Sequence, residues 1–321
     1  MPRPPRYKPR DTSRRRLWIY LAVVAFLLVD ALLITWALGS RTPGVAATTP
    51  RPIPTFTPES SATSTPTAAP ATAAIRPTRI LSALDDTTAW RATTGECPAV
   101  VAVPEFTTDA GQTWQATDAT KDVQLTAPQT INVLSDSQVE IVGLAAEDCS
   151  PQFVRSFVAG EDYSTNTSLL DDQWYIYPAD PTTVHTPSGD VAAPCASVVD
   201  LANRPDDNGA AAITCGDTNV YTTTDFGETW SVPLKGDGIV NLAVTEMGYL
   251  LVTVGLPECA GVQLIALSVN PTTATPTGCL PVDVPAETMQ GNVAVAEAAD
   301  TIWVWVGDSV MRSIDQGTSW Q

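Results

Sequence analysis

Three observations on this 321-residue chain predict an all-β fold, a β-propeller of about five to six blades. Short apolar runs such as "VEIVGLAA", "AAAITC", "YLLVTVG" and "IWVWVG" are separated by Gly, Asp, Asn and Pro. That is the pattern of many strands and almost no helix. The pattern [ST]-x-Asp-x-Gly-x-x-Trp is written three times, in "EFTTDAGQTW", "YTTTDFGETW" and "MRSIDQGTSW". The copies and their weaker echoes recur at steps near 45 residues, the length of a blade of several short strands.

The elements ahead of this domain follow in chain order. Residues 1–16 hold seven basic residues against one acid, Asp11. Leu17 to Leu38 then runs for 22 residues with a single charge, Asp30. A membrane-spanning helix needs about 20 apolar residues, and a secretory signal core is shorter. The sequence therefore predicts a retained single span, with the basic tail in the cytoplasm and the C-terminal domain outside. Asp30 reads as an acid tolerated by its apolar neighbours, or as a polar contact with a partner helix. Residues 39–79 are Thr, Pro, Ala and Ser nearly throughout. Such a segment cannot bury a core and is expected to be a disordered stalk. In polyproline form it would reach on the order of 120 Å. The globular domain is expected over residues 80–321.

Charge narrows the partners. From Ile80 onward six basic residues face 32 acids, leaving a net charge near −26. A surface this acidic repels phosphate backbones, so nucleic acid is excluded as a partner. All six cysteines, Cys97, Cys149, Cys195, Cys215, Cys259 and Cys279, lie in the predicted outer domain, where disulfides form. Their spacings of 52, 20 and 20 suggest sequential pairs among 15 possible connectivities. There is no CxxC and His185 is the only histidine, so neither a metal site nor a cofactor is expected.

The repeat is read from the boxes. The clear copies end at Trp114, Trp230 and Trp320. Echoes fall at Ser156–Tyr163, with Val158 in the Asp position, at Ser268–Thr275, with Asn270 there, and at Ala83–Trp90. From Trp114 the steps are 49, 67, 45 and 45, and Cys149, Cys215 and Cys259 precede three box ends by 14 to 16 residues. The long step predicts an insertion between Thr165 and Val191. Five units follow, with a sixth if Trp90 belongs to a shared closing blade. Because the chain stops one residue after Trp320, the last outer strand is expected from the segment near Trp90.

The box chemistry is local. Asp109, Asp225 and Asp315 can accept backbone N–H bonds in a turn. Gly111, Gly227 and Gly317 can take a positive φ there. Trp114, Trp230 and Trp320 can lay a ring between sheets. These stretches resemble the Asp-box (BNR) repeat, S/T-x-D-x-G-x-T-W, of sialidases, other glycoside hydrolases, sortilin-type receptors and photosystem-assembly propellers. The resemblance implies Asp-box hairpins between the third and fourth strands of each blade, away from any active site. It implies that the three aspartates are structural and not catalytic.

Function is less determined. A sialidase-like hydrolase would resemble its family in an arginine triad, a Tyr–Glu nucleophile pair and an Asp acid/base. Here only Arg91, Arg155, Arg204 and Arg312 follow Ile80, and no catalytic residue is assigned. Asp171, Asp172, Trp174 and Tyr175 form a candidate ligand loop whose acids and aromatics suit a sugar, or an ordinary polar loop around a packed aromatic. Trp303 and Trp305 share one strand face, but Ile302, Val304 and Val306 make the other face apolar too, which predicts core packing. Asn166-Thr167-Ser168 matches a glycosylation sequon. The favoured expectation is a non-catalytic module binding an envelope protein or glycan at the cell surface. A sialidase-like glycoside hydrolase and an assembly factor for a membrane complex are the alternatives.

Overall fold

The computed structural model describes residues 74–269 and 272–321. The predicted basic tail (1–16), membrane span (17–38) and most of the stalk lie outside the described residues, as does Asn270. Among the described residues no helix is long and apolar enough to cross a membrane.

Six antiparallel sheets follow one another along the chain. Blade one is β1 (Arg79–Ala83), β2 (Ala89–Thr93), β3 (Glu105–Thr107) and β4 (Gln115–Ala116). Blade two is β5 (Leu125–Val133), β6 (Val139–Ala145), β7 (Pro151–Ser156) and β8 (Ser164–Thr165). Blade three has three strands, β9 (Tyr175–Tyr177), β10 (Asp180–Thr186) and β11 (Gly189–Ala192). Blade four is β12 (Val198–Asn203), β13 (Ala211–Cys215), β14 (Asn219–Thr223) and β15 (Leu234–Lys235). Blade five is β16 (Ile239–Thr245), β17 (Gly248–Val254), β18 (Gly261–Val269) and β19 (Thr272–Pro281). Blade six is β20 (Val293–Ala298), β21 (Thr301–Val306) and β22 (Ser309–Ser313).

Blades pack face to face, so a strand near the middle of a blade is covered on both sides. That is why β17 ("GYLLVTV") and β21 ("TIWVWV") are apolar without alternation and buried throughout. The outer strand β19 is Thr-rich and mostly exposed. Each of the six blade junctions carries its own apolar cluster. Trp303 and Trp305 are both buried, in the cluster joining blades six and one with Leu81, Ala89, Ala294 and Ala296.

Three expectations are corrected. The 67-residue step is not one blade with an insertion. It holds two blades, because blade three is compressed to short strands and its box is reduced to a turn from Thr186 to Gly189. Ala83–Trp90 is no box hairpin. It is the turn between β1 and β2, where Asp85 accepts from the backbone N–H groups of Thr87 and Thr88. Nor does the segment near Trp90 complete the last blade. It pairs within blade one, and among the described residues the outer edge of β22 is met by Gln321, which exchanges two backbone bonds with Arg312. Side chains close the ring instead. The Trp303 indole donates to the Asp85 carbonyl at 3.0 Å, and Arg79 donates to the Gly307 carbonyl. Arg91 stacks between Trp114 and Trp305, at 4.1 and 4.8 Å from their centroids.

The three disulfides are the sequential pairs Cys97–Cys149, Cys195–Cys215 and Cys259–Cys279. All sit at the end of the ring where the inner strands begin. Residues 74–78 cross that same end, with Ala74 N–H bonded to the Gly216 carbonyl and Thr78 to the Gly291 carbonyl.

Candidate functional site

The box turns lie at the opposite end. In blade one, Thr113 donates to Asp109 through both its backbone N–H (2.9 Å) and its hydroxyl (2.6 Å), and Thr107 donates from its hydroxyl. Asp225 and Asp315 are held alike, by Thr229 and Thr223 and by Ser319 and Ser313. These bonds favour the carboxylate form. The Thr113 hydroxyl and amide bring Asp109 down to about 2, those of Ser319 bring Asp315 down to about 2, and Asp225 is lowered in the same way.

Each box also clamps its blade to the one before it. A Cβ on Gly111 would meet Trp303 of blade six, one on Gly227 would meet Val191 of blade three, and one on Gly317 would meet Gly278 of blade five. Trp114, Trp230 and Trp320 pack partly buried against the clusters at those same junctions. Trp320 donates to the Cys279 carbonyl at 3.0 Å. Gly317 has φ +83° and Leu264 and Gly278 stand 2.9 Å from where a Cβ would be. Gly317→Ala is therefore expected to cost about 1–3 kcal/mol in a urea melt. Gly307→Ala should cost less, because Gly307 shares a positive φ but has open space around it.

The four residues of the candidate ligand loop do not face one way. Trp174 is buried and donates to the Asn208 carbonyl at 2.9 Å, and Tyr175 is buried, stacked on His185 at 4.4 Å. Asp171 and Asp172 are exposed, and Asp172 borders the central channel.

That channel runs between the inner strands of the blades. It has a volume of about 650 Å³ and is walled by the inner strands β1, β5, β9, β12, β16 and β20. Its polar lining includes Arg76, Asn132, Asp172, Asp200, Asn241 and Glu297. The inner strands β12 and β16 bulge at Val199 and Val240, just before Asp200 and Asn241, whose side chains bond to the next blade. Asp200 accepts from Leu242 N–H at 2.8 Å and from the Asn241 amide at 3.2 Å, and Asn241 accepts from Val295 N–H at 2.9 Å. One polar relay thus ties blades four, five and six around the channel. Sequence reasoning missed it. Its signal was the polar residue set between apolar residues in both "VVDLA" and "IVNLA".

Desolvation in the channel pushes Asp200 up to about 7, against the backbone bonds of Leu201 and Leu242 and the nearby Arg76. A folded value above the unfolded one means that the folded state binds the proton more tightly. Its contribution is complete at low pH and is lost as pH rises through about 7. The box aspartates act in the opposite sense, losing theirs as pH falls toward about 2. Unfolding free energy is therefore expected to peak near pH 4 and to decline from there to about pH 7. Asp200→Asn should flatten that decline in melts taken across pH.

Ring and site together define a six-bladed β-propeller with disulfides at one end and clamping turns at the other. The sequence matches no protein-family model and no curated protein sequence. Among solved structures it is similar to YCF48 from Cyanidioschyzon merolae, at 14% identity over 79% of this chain and 85% of that one, with a TM-score of 0.40. It is similar to the six-bladed fucose-recognising lectin of Aleuria aurantia at 10% identity over 78% and 95%, with a TM-score of 0.44. A GH74 xyloglucanase from Xanthomonas campestris aligns at 14% identity over 75% and 37%, with a TM-score of 0.32.

Proposed function

We propose that this chain is an Asp-box propeller held outside a cell membrane by the predicted span, 17–38, and stalk, 39–79, and that it serves there as a non-catalytic binding module. The observation that carries the reading is the asymmetry of the channel. One end is crossed by residues 74–78 and flanked by the disulfides, whereas the other opens among the turns between first and second strands, at Leu84, Leu134 and Asn208, to which the box turns are bonded from outside. A partner would approach from the box-turn end, opposite the point where the described chain enters the ring. The binding groups on offer there are carboxylates, amides and backbone edges on a rigid frame, which suit recognition of a protein segment or glycan.

The test uses the full-length chain in detergent micelles, immobilised and exposed to an envelope extract. Asn132 is exposed on the channel wall, so Asn132→Trp would fill the channel without disturbing a blade junction. The expected result is a specific envelope protein or glycan retained by the parent chain and lost with Asn132→Trp at unchanged melting temperature. Equal retention by both proteins, or retention of nothing by either, would overturn the reading.

A further inference from the structure

Blade two departs from the other boxes in a way that exposes apolar surface. Its turn between β7 and β8 keeps the box backbone. The buried Ser156 hydroxyl accepts from Gly160 N–H at 2.9 Å, as Thr107, Thr223 and Ser313 accept from Gly111, Gly227 and Gly317. Ala159 and Gly160 have φ values of 53° and 80°, matching Ala110 and Gly111 at 65° and 81°. The turn thus holds without its aspartate, and the freed position carries Val158, which is 44% exposed. Phe157 beside it is 57% exposed. The adjoining turn between β5 and β6 bears Leu134, 44% exposed, and is bonded to the first through Ala159 N–H and the Ser137 carbonyl.

The rim of this patch is acidic. Asp136, Glu161 and Asp162 are exposed on the same two turns or just after them. The nearby cation, Arg155, is paired with Glu140 and lies over the Phe157 ring at 5.4 Å. We propose that this edge of blade two docks a cationic segment of a partner protein, one with leucine- or phenylalanine-type anchors flanked by lysine or arginine. Apolar anchors would cover Leu134, Phe157 and Val158 while the flanking cations meet the acids. A second copy of this chain fits poorly, since each propeller carries a net charge near −26 from Ile80 onward. The proposal rests on the binding reading above and adds the partner's chemistry, at a surface that begins at the channel mouth with Leu134 and extends outward over Phe157 and Val158.

The double variant Phe157→Thr/Val158→Asn removes the two apolar side chains without changing the charge and keeps Ser156 and Gly160, whose bond holds the turn, so it should melt as the parent does. The probe is a fluorescein-labelled peptide of alternating leucine and lysine, titrated into the full-length chain in micelles and read by anisotropy. Its control has serine in place of leucine at the same charge. The parent is expected to bind the leucine peptide, with affinity falling as salt rises. The double variant, and the serine control on the parent, should each bind at least about tenfold more weakly. Equal affinity of parent and variant, equal affinity of the two peptides, or no binding by the parent would each overturn the proposal. Variant-sensitive co-sedimentation with neutral phosphatidylcholine vesicles, or variant-sensitive dimerisation in sedimentation velocity, would also overturn it, in favour of a lipid surface or a second copy. If the peptide results fail while Asn132→Trp still abolishes envelope retention, the docking surface is wrong and the binding module stands.

Discussion

Trp303→Ala is expected to lower the unfolding free energy by about 4 kcal/mol, a large share of what holds a domain folded. The side chain is 0% exposed at the junction of blades six and one, between Ala89, Leu81 and the adjacent Trp305. The loss has two parts. Removing the indole leaves a cavity that a sheet-on-sheet junction refills poorly, and the Asp85 carbonyl loses its donor. Among the described residues no strand is exchanged across this junction, and the ring closes on side-chain packing and a few polar bonds. A urea melt read by the remaining tryptophans measures the effect, with Trp303→Phe expected to recover more than half of it. A loss below about 1 kcal/mol, typical of an unremarkable surface substitution, would mean that the ring is closed by something else.

Replacing Cys97 and Cys149 together with serine is expected to cost about 4 kcal/mol, and the same change at either other pair about 3 kcal/mol. Each of those estimates comes from the entropy of the loop that the bond closes in the unfolded chain. The sequence separations are 52 for Cys97–Cys149 and 20 for each of the others. Cys97 lies in the loop between β2 and β3 and Cys149 in the loop between β6 and β7, so this bond also joins blades one and two. Cys259–Cys279 lies within blade five. Chemical denaturation of the three double variants should rank Cys97–Cys149 as the most costly loss. An equal cost at all three would point to native-state strain or residual unfolded structure outweighing loop entropy.

Much of the architecture was legible because it is written in short-range chemistry. The three full boxes carry their own turn. The hydroxyl, the carboxylate and the glycine lie within five residues of one another, so the hydrogen bonds of Asp109, Asp225 and Asp315 need no distant partner. The sequential pairing that the six cysteines suggested is the one formed, at one end of the ring. The unbroken apolar run at Ile302–Val306 marked a strand covered on both faces. The compressed third blade was illegible for the converse reason. Its box has dwindled to Thr186 and Gly189, and its short strands are stable only because blades two and four cover them.

By itself, then, the amino-acid sequence determined the strand-rich repeat and the box turns, since each depends on residues near one another in the chain or on regular spacing, and it suggested sequential disulfides among 15 connectivities. Only the tertiary structure decided the number of blades, the closure at Trp303, and the channel relay of Asp200 and Asn241. The physical reason is that these rest on contacts between distant residues. Leu81 meets Trp303 only after every intervening blade has added its rotation about the common axis, and Asn241 reaches Val295 only across the junction of blades five and six. The candidate site belongs to that second group, because the channel exists only once six separate inner strands enclose it.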